Sequence, residues 1–249
     1  MNELARNITP GDPDIAAVGA LAGDPTRARI LMALLDGLRL PASELTRICG
    51  IAKSTTSQHL SMLLDSRLVA SEKCGRHTYY WLASPDVAHA LEAMAAIATR
   101  TIPTSLNTVR RHDGLAHARL CYDHLAGQLG VTITDALCRM GLLCLSPDGQ
   151  LLVEARAWDA QQPLGITTSA VPRRRHLARG CIDWTVRRPH LAGALGAALA
   201  QRMFQQEWIT RPVAGQRAIV LMYAGKAELI STFGISETEL ADVPCRRGT

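Results

Sequence analysis

The stretch from Ile51 to Leu82 constrains the fold most, because it places a polar helix and a basic hairpin directly after a short helix that ends at Gly50. Leucines at helical spacing mark the polar helix over residues 52–64. Glycine commonly ends a helix, and the residues between Gly50 and Lys53 leave room only for a tight turn. The pattern therefore predicts a helix-turn-helix.

The flanking segments complete a small domain. LVASEKCGRHTYYWLA predicts two strands joined at Cys74–Gly75–Arg76, a β-hairpin. Ile15 to Asp36 predicts two helices broken before Pro25, since Asp24 suits an N-cap and proline suits the first helical position. Pro85 to Arg100 predicts an alanine-rich helix. We therefore expect a winged helix-turn-helix domain at residues 15–100.

Composition limits the class of protein. Hydrophobic residues make up 47% of the 249 residues, enough for a sizeable core, and only ten residues are aromatic, which favours helices. No apolar run of about 18 residues predicts a membrane helix, and the N-terminus does not have the pattern of a signal peptide. Seven cysteines without an export signal predict reduced thiols in the cytoplasm. The net charge of +5 arises entirely within residues 101–249 and is compatible with nucleic acid.

The remaining chain predicts a second domain. Residues 1–14 and 101–112 have the composition of a flexible tail and a linker. Residues 113–249 predict helices at 113–129, 131–142, 175–188, 189–207 and 225–233, with hairpins between some of them. The predicted fold class is mostly α with small β-hairpin wings. It comprises an N-terminal winged helix-turn-helix domain and a C-terminal helical domain, for which a winged-helix-like arrangement is one interpretation.

The polar run at the start of the predicted recognition helix has the chemistry of a DNA-reading surface. A helix in the major groove must present short donors and acceptors to base edges and phosphates, and intrinsic helix propensity does not explain successive serines and threonines. The hairpin tip adds charge for the DNA backbone. The predicted DNA-binding residues are Lys53, Ser54, Thr55, Thr56, Ser57, Gln58, His59, Lys73, Arg76 and His77.

Three motifs carry a family resemblance. GDPTRARILMALL, GIAKSTTSQHLSMLLDSRLV and GRHTYYWLA resemble the first helix, the recognition segment and the wing of the ArsR/SmtB family of winged-helix repressors. Arg67 stands where the family usually has glycine at the helix end. The resemblance covers residues 15–100. It implies a homodimer paired through residues 15–21 and 85–100, bound to double-stranded operator DNA, and a repressor that a ligand releases.

The metal sites usual in that family do not match. RLPASEL lacks the Cys-x-Cys pair of the arsenite site. Asp86 and His89 break the spacing of the zinc site, and no second histidine follows in residues 90–100. We therefore expect sensing by the C-terminal domain, residues 113–249.

Two C-terminal segments contain candidate effector-binding side chains. CYDHLAG and CIDW…RRPHLAG resemble a recurring C-terminal extension in some ArsR-like regulators. A helix through the first segment would place His117, Cys121 and His124 on one face. If both segments pack together, their cysteines and histidines suit zinc or another thiophilic metal. The predicted effector-binding residues are Cys121, His124, Cys181, Trp184 and His190.

Other interpretations of these residues remain open at this point. The cysteines and histidines could be core residues, or they could serve a small organic inducer or a redox response. A catalytic module would need Cys121 as nucleophile and His124 or His190 as base. No nucleophile elbow, P-loop or dinucleotide loop supports catalysis, so the sequence predicts a regulator and not an enzyme. A winged helix that only dimerises is a further alternative, against which the intact polar helix argues.

Overall fold

The computed structural model describes residues 13–35, 39–99, 113–147, 150–212 and 217–246. The predicted linker at 101–112 and most of the predicted tail lie outside this range. The chain forms two compact units, which divide between Val87 and Ala88. The predicted domain boundary at residue 100 therefore differs from the observed one, which falls inside a helix.

The first unit is a winged helix-turn-helix. Its helices and strands, in chain order, are α1 (Ile15–Ala22), α2 (Pro25–Leu34), β1 (Leu40–Pro41), α3 (Ala42–Cys49), α4 (Lys53–Asp65), β2 (Val69–Cys74) and β3 (His77–Leu82). The three strands form a sheet in the order β1-β3-β2, with both pairs antiparallel. Helix α5 (Pro85–Ile97) begins in this unit and continues in the second.

Local chemistry fixes the predicted helix ends of the first unit. The carboxylate of Asp24 accepts hydrogen bonds from the backbone N–H groups of Thr26 and Arg27, each at 2.9 Å, so the N-cap is confirmed. Gly50 ends α3 with φ of 65°. The left-handed conformation costs glycine little, which allows the tight turn into α4.

The second unit alternates short hairpins with helices. After α6 (113–117), its elements are β4 (Arg119–Cys121), β5 (His124–Ala126), α7 (Gly127–Arg139), β6 (Leu143–Leu145), β7 (Leu151–Val153), α8 (Ala155–Gln161), β8 (Arg179–Ile182), β9 (Pro189–Ala192), α9 (Gly193–Gln205), β10 (Ile209–Thr210), β11 (Val220–Met222), α10 (Tyr223–Phe233) and β12 (Cys245–Arg246). β4 pairs with β5, β6 with β7 and β8 with β9, each antiparallel. The coarse fold class, mainly helical with small hairpins, is confirmed.

Two helix predictions in the second unit were wrong. Residues 113–129 and 175–188 were predicted as helices, but the first region contains both strands of the hairpin β4–β5 and the second contains β8. Tyr122 turns the first hairpin with φ of 61°, and Arg187 lies before β9 with φ of 62°. A helix of L-residues cannot continue through that conformation. Strands of three or four residues are too short to show a period of two, which is why the sequence pattern misled.

The second unit contains an internal repeat. HLAGQLG (124–130) and HLAGALG (190–196) each supply the end of a hairpin and the first turn of the following helix. The packing is reciprocal, since α9 packs on β5 of the first repeat and α7 packs on β9 of the second. Each helix begins at a left-handed glycine, Gly127 with φ of 75° and Gly193 with φ of 85°. The repeat places His124 and His190 at equivalent positions.

A single aliphatic core supports these repeats. Trp158 is fully buried in it, and its indole N–H donates to the carbonyl of Ile166 at 3.0 Å. Buried side chains from α7, α9 and α10, such as Leu129, Leu195 and Leu229, belong to the same core. Across the described ranges, no helix has the length and apolar character needed to cross a membrane.

Candidate functional site

Helix α4 presents most of the predicted DNA-reading residues to solvent. Lys53, Ser54, Ser57 and Gln58 are exposed on its first two turns. The helix starts without a side-chain cap, so its first backbone N–H groups and its partial positive charge also face outward. Both features favour a phosphate group at this end of the helix.

Two other predicted residues of α4 are half-buried. Thr55 is partly covered. Only 16% of the His59 side chain is exposed, and its Nδ1 lies 3.8 Å from the carboxylate of Asp24. Asp24 is the α2 cap, so His59 lies beside the start of α2. The two residues retain some accessible surface for DNA.

Thr56 departs from the prediction. Its side chain is 1% exposed, and its hydroxyl donates to the carbonyl of Ala52 and lies 3.1 Å from the hydroxyl of Thr46. Thr56 faces the core because it lies four residues before Leu60, on the buried side of the same helix. It stabilises the α3–α4 contact and is not available to DNA.

The hairpin β2–β3 forms the predicted wing. Lys73 pairs with Thr78, Cys74 pairs with His77, and the turn between them contains Arg76. Lys73, Arg76 and His77 are all exposed. The wing therefore carries its charged groups at the tip, as the sequence predicted.

In the second unit, four of the five predicted effector residues converge. Ligand atoms of Cys121, His124, Cys181 and His190 all lie within 4.8 Å of one another, and all four side chains are buried. We call these four residues the Cys2His2 cluster. The two sulfur atoms are 3.8 Å apart. Each repeat supplies one cysteine and one histidine, because Cys121 pairs with His124 across its hairpin and Cys181 pairs with His190 across the other.

The two thiols differ in acidity. The hydrogen bond from Cys121 holds the pKa of the Cys181 thiol well below its usual value, against the effect of burial. Burial raises the pKa of the Cys121 thiol well above its usual value, and the contact with Cys181 adds to it. The cluster therefore favours one thiolate, on Cys181.

A carboxylate lies near Nδ1 of each histidine of the cluster. Nδ1 of His124 lies 3.2 Å from the carboxylate of Asp123, which is also paired with Arg175 at 2.6 Å. Burial lowers the pKa of His124, but the bond to Asp123 and the contact with Cys181 outweigh it and raise that pKa overall. Nδ1 of His190 lies 3.9 Å from Asp183, and burial lowers the pKa of His190.

A buried ionic network adjoins the cluster. Arg119 and Asp183 form an ion pair at 2.9 Å with both side chains fully buried. Glu92 of α5 lies between Arg119 and Arg217 and pairs with both. Burial alone would raise the pKa of Asp183, but Arg119 and hydrogen bonds, including one from the backbone of Gly127, lower it to about 2. Sequence patterns gave no sign of this network, because its members are distant along the chain.

Trp184 and His117 lie outside the Cys2His2 cluster. The guanidinium of Arg119 stacks over the Trp184 ring at 4.8 Å from its centre, so Trp184 belongs to the ionic network. His117 is on α6, which ends before the hairpin, so the predicted shared helical face does not exist. The structure instead adds His89 of α5, whose ring stacks on His124 with 5.8 Å between centres.

Comparison with known proteins places the chain in a family. The model of "Bacterial regulatory protein, arsR family" matches residues 24–71. The uncharacterized HTH-type transcriptional regulator YdfF of Bacillus subtilis (strain 168) is 38% identical over 222 residues, which cover 86% of this chain and 95% of YdfF. The chain belongs to the ArsR family. It is therefore a DNA-binding transcriptional regulator with a winged helix-turn-helix.

A second relative matches about a third of the chain. The HTH-type transcriptional regulator CmtR of Mycobacterium tuberculosis (strain ATCC 25618 / H37Rv) is 40% identical over 83 residues, covering 33% of this chain and 70% of CmtR. The NMR structure of CmtR, described as a cadmium metal-sensor, aligns with 36% identity and a TM-score of 0.30 over 37% of this chain and 97% of that one.

One departure from the ArsR pattern has a local explanation. Arg67, at the position where the family usually has glycine, adopts φ of 58° at the end of α4. The left-handed conformation is uncommon for a residue with a side chain, and Arg67 is exposed, so its side chain meets no packing constraint. Helix α4 is therefore followed by a left-handed residue, the conformation that glycine commonly supplies at a helix end, without a glycine.

Proposed function

We propose that this ArsR-family regulator is a homodimeric repressor, which binds operator DNA through α4 and the wing and leaves it when an effector binds the second unit. The observation that carries the proposal is the exposed polar start of α4 beside a basic wing tip. Two copies of such a surface, related by twofold symmetry, would read two half-sites about one helical turn apart.

Helix α5 connects the Cys2His2 cluster with the pairing of the two subunits, on which DNA binding depends. It begins in the first unit and supplies His89 and Glu92 to the surroundings of the Cys2His2 cluster. In the homodimer, α5 is one of the two pairing helices that the family architecture implies. A ligand that repositions His89 or Glu92 would shift the pairing of subunits and so the spacing of the two recognition helices.

The raised pKa and the burial of Cys121 argue against the alternative of a catalytic Cys–His module. A cysteine nucleophile needs a lowered pKa, and burial raises the pKa of Cys121. Its thiol is 1% exposed. Cys121 with His124 or His190 is therefore a poor nucleophile and base.

The test is operator binding by the full chain, with DNA selected from a random library and measured by fluorescence anisotropy. Gln58→Ala removes an exposed side chain that can form a bidentate contact to adenine, so we expect about a 5- to 150-fold loss of affinity for the selected sequence. Gln205→Ala is the matched control, since Gln205 is exposed at the end of α9.

Binding of two chains per selected site, with Gln205→Ala unchanged, supports the proposal. Equal operator affinity for Gln58→Ala and the wild-type chain would remove α4 as the reading element. One chain per site would remove the homodimer.

A further inference from the structure

We propose that the Cys2His2 cluster binds a thiophilic divalent metal ion of the Zn²⁺ class in tetrahedral geometry. The ligands are Cys121, His124, Cys181 and His190. This proposal deepens the proposed function, because it names the chemical class of the effector, and it places the site in the second unit.

The spacing of the sulfur atoms matches a shared tetrahedral ion. Zn–S bonds of about 2.3 Å at the tetrahedral angle separate two thiolate sulfurs by about 3.8 Å. The sulfurs of Cys121 and Cys181 are 3.8 Å apart. The remaining ligand atoms also lie within 4.8 Å of one another, so one ion can reach all four.

The imidazoles are buried with nitrogen atoms that bond to nothing else among the described residues. Nε2 of His124 and both ring nitrogens of His190 have no hydrogen-bond partner outside the cluster among the described residues, and both rings are 0% exposed. A buried polar atom without a partner destabilises the fold, because it has lost its hydrogen bonds to water. Coordination of a metal ion by one nitrogen of each ring removes part of that destabilisation.

The surroundings of the cluster have the features of a metal site. Nδ1 of His124 bonds to Asp123, so the carboxylate orients the ring and leaves Nε2 for the ion. Asp123 is itself held by Arg175 at 2.6 Å. The ring of His190 packs parallel to that of His124, with 5.1 Å between centres and 27° between planes. The ligands are therefore fixed before an ion arrives.

The internal repeat explains why the four residues meet. Each repeat contributes one cysteine and one histidine from a hairpin, and the two hairpins meet because β5 contacts β9. Gly130 faces His190 and Gly196 faces His124, and a Cβ at Gly196 would lie only 3.2 Å from the Cβ of His124. Glycine at 196 therefore leaves room for the histidine of the other repeat. A metal ion at the cluster would join the two repeats.

An access route leads to one ligand. A cavity of about 410 Å³ lies between α5 and β8 and is lined by His89 and Cys181 among others. Cys181 is 7% exposed, whereas the other three ligands are 1% exposed or less. An ion would therefore reach the sulfur of Cys181 first and the other ligands afterwards. Binding as two thiolates would release one proton from each cysteine to solvent.

The experiment uses the full chain, purified without oxygen, reduced and stripped of metal with a chelator. Co²⁺ is added as a spectroscopic probe and Zn²⁺ then competes. We expect one Co²⁺ per chain, with the intense visible absorption of tetrahedral cobalt and charge-transfer bands from thiolate, both abolished by one Zn²⁺ per chain.

Single substitutions then locate the site. Cys181→Ser and Cys121→Ser should each reduce the intensity of the thiolate bands, because one of two thiolates is removed, or weaken binding at least tenfold. Circular dichroism shows whether each variant folds. Cys74→Ser and Cys144→Ser are matched controls, because both thiols are exposed and lie outside the cluster. Should a cluster serine variant fail to fold, His124→Gln gives a second test, with weaker cobalt binding and retained thiolate bands expected.

The outcomes separate the metal site from the proposed function. Thiolate bands that are weaker in the cluster variants and unchanged in the controls confirm the site, even if the metal leaves DNA affinity unchanged. An unchanged DNA affinity contradicts only the effector role. Absence of cobalt binding by the reduced chain overturns the site, as do equal bands in wild type and cluster variants. A Cys121–Cys181 disulfide that forms in air, together with no metal binding after reduction, overturns it in favour of a redox pair.

Discussion

The guanidinium of Arg119 lies 2.9 Å from the carboxylate of Asp183, and neither side chain has any exposed surface. Removing one partner of such a pair leaves a buried charge without compensation, which costs about 3–5 kcal/mol. Arg119→Met should therefore lower the free energy of unfolding of the second unit by about that amount, measured by urea denaturation.

Arg188→Met is the matched control for that substitution. Arg188 pairs with Asp135 at 2.7 Å, but its side chain is 55% exposed. Exposed ion pairs contribute about 0–1 kcal/mol, so this variant should unfold close to the wild-type midpoint. Equal losses in the two variants would contradict a structural role for the buried network.

The repeat glycines give a second prediction. A Cβ atom at Gly130 would lie 2.5 Å from the carbonyl oxygen of Leu125, and Gly196 has the equivalent close contact with Leu191. Overpacking of this kind costs about 1–3 kcal/mol, so Gly130→Ala should lower the urea midpoint. Gly114→Ala is the control, because a Cβ at Gly114 would make only an ordinary contact with the Cβ of Ala218 at 3.8 Å, so this variant should keep the wild-type midpoint or raise it. Unchanged stability of Gly130→Ala would refute the close packing of hairpin and helix.

The charge at the start of α4 predicts a salt effect. Lys53 is exposed on the first turn of the helix. If it contacts a phosphate, Lys53→Ala should weaken binding to all DNA sequences alike and reduce the slope of log affinity against log salt by about 1. Lys226→Ala in the second unit, where Lys226 pairs only with Glu237 at 3.5 Å among the described residues, should leave the slope unchanged. Titrations of both variants with DNA at several salt concentrations give the two slopes. An unchanged slope for Lys53→Ala would contradict the phosphate contact.

A substitution at Thr56 should lower the stability of the first unit and leave DNA recognition unchanged. Thr56→Val keeps the shape of the side chain and removes a buried hydroxyl that bonds to Ala52. The substitution removes the hydrogen bond to Ala52 and the one from Thr46, and each should cost about 0.5–1.5 kcal/mol of stability. The sequence preferred in the random-library selection should not change. A changed sequence preference would return Thr56 to the DNA-contacting residues.

The first unit was predictable because its signals are local. An N-cap at Asp24, a left-handed glycine at Gly50 and the leucine spacing of α4 are each readable within a few residues, and all were confirmed. The exception was Thr56. The whole polar run was predicted to bind DNA, but a helix turns about one residue in every four toward the core.

The second unit was harder because its contacts are distant along the chain. The predicted Cys and His residues converge, but on hairpins and not on a helix. Three-residue strands gave no usable period, and left-handed Tyr122 could not be anticipated from its residue type. The partners of Arg119, in α5 and β8–β9, come from segments that carry no shared motif.

The central claim is that a ligand bound at the Cys2His2 cluster releases the regulator from DNA. The most direct measurement is the affinity of the full chain for its selected operator, by anisotropy, with the metal-free protein and with one Zn²⁺ per chain. We predict that Zn²⁺ weakens binding by about 5- to 150-fold, the range of typical coupling between two sites, and that Cys181→Ser shows no response. Equal operator affinity of the zinc-loaded and metal-free wild-type chain would contradict the claim.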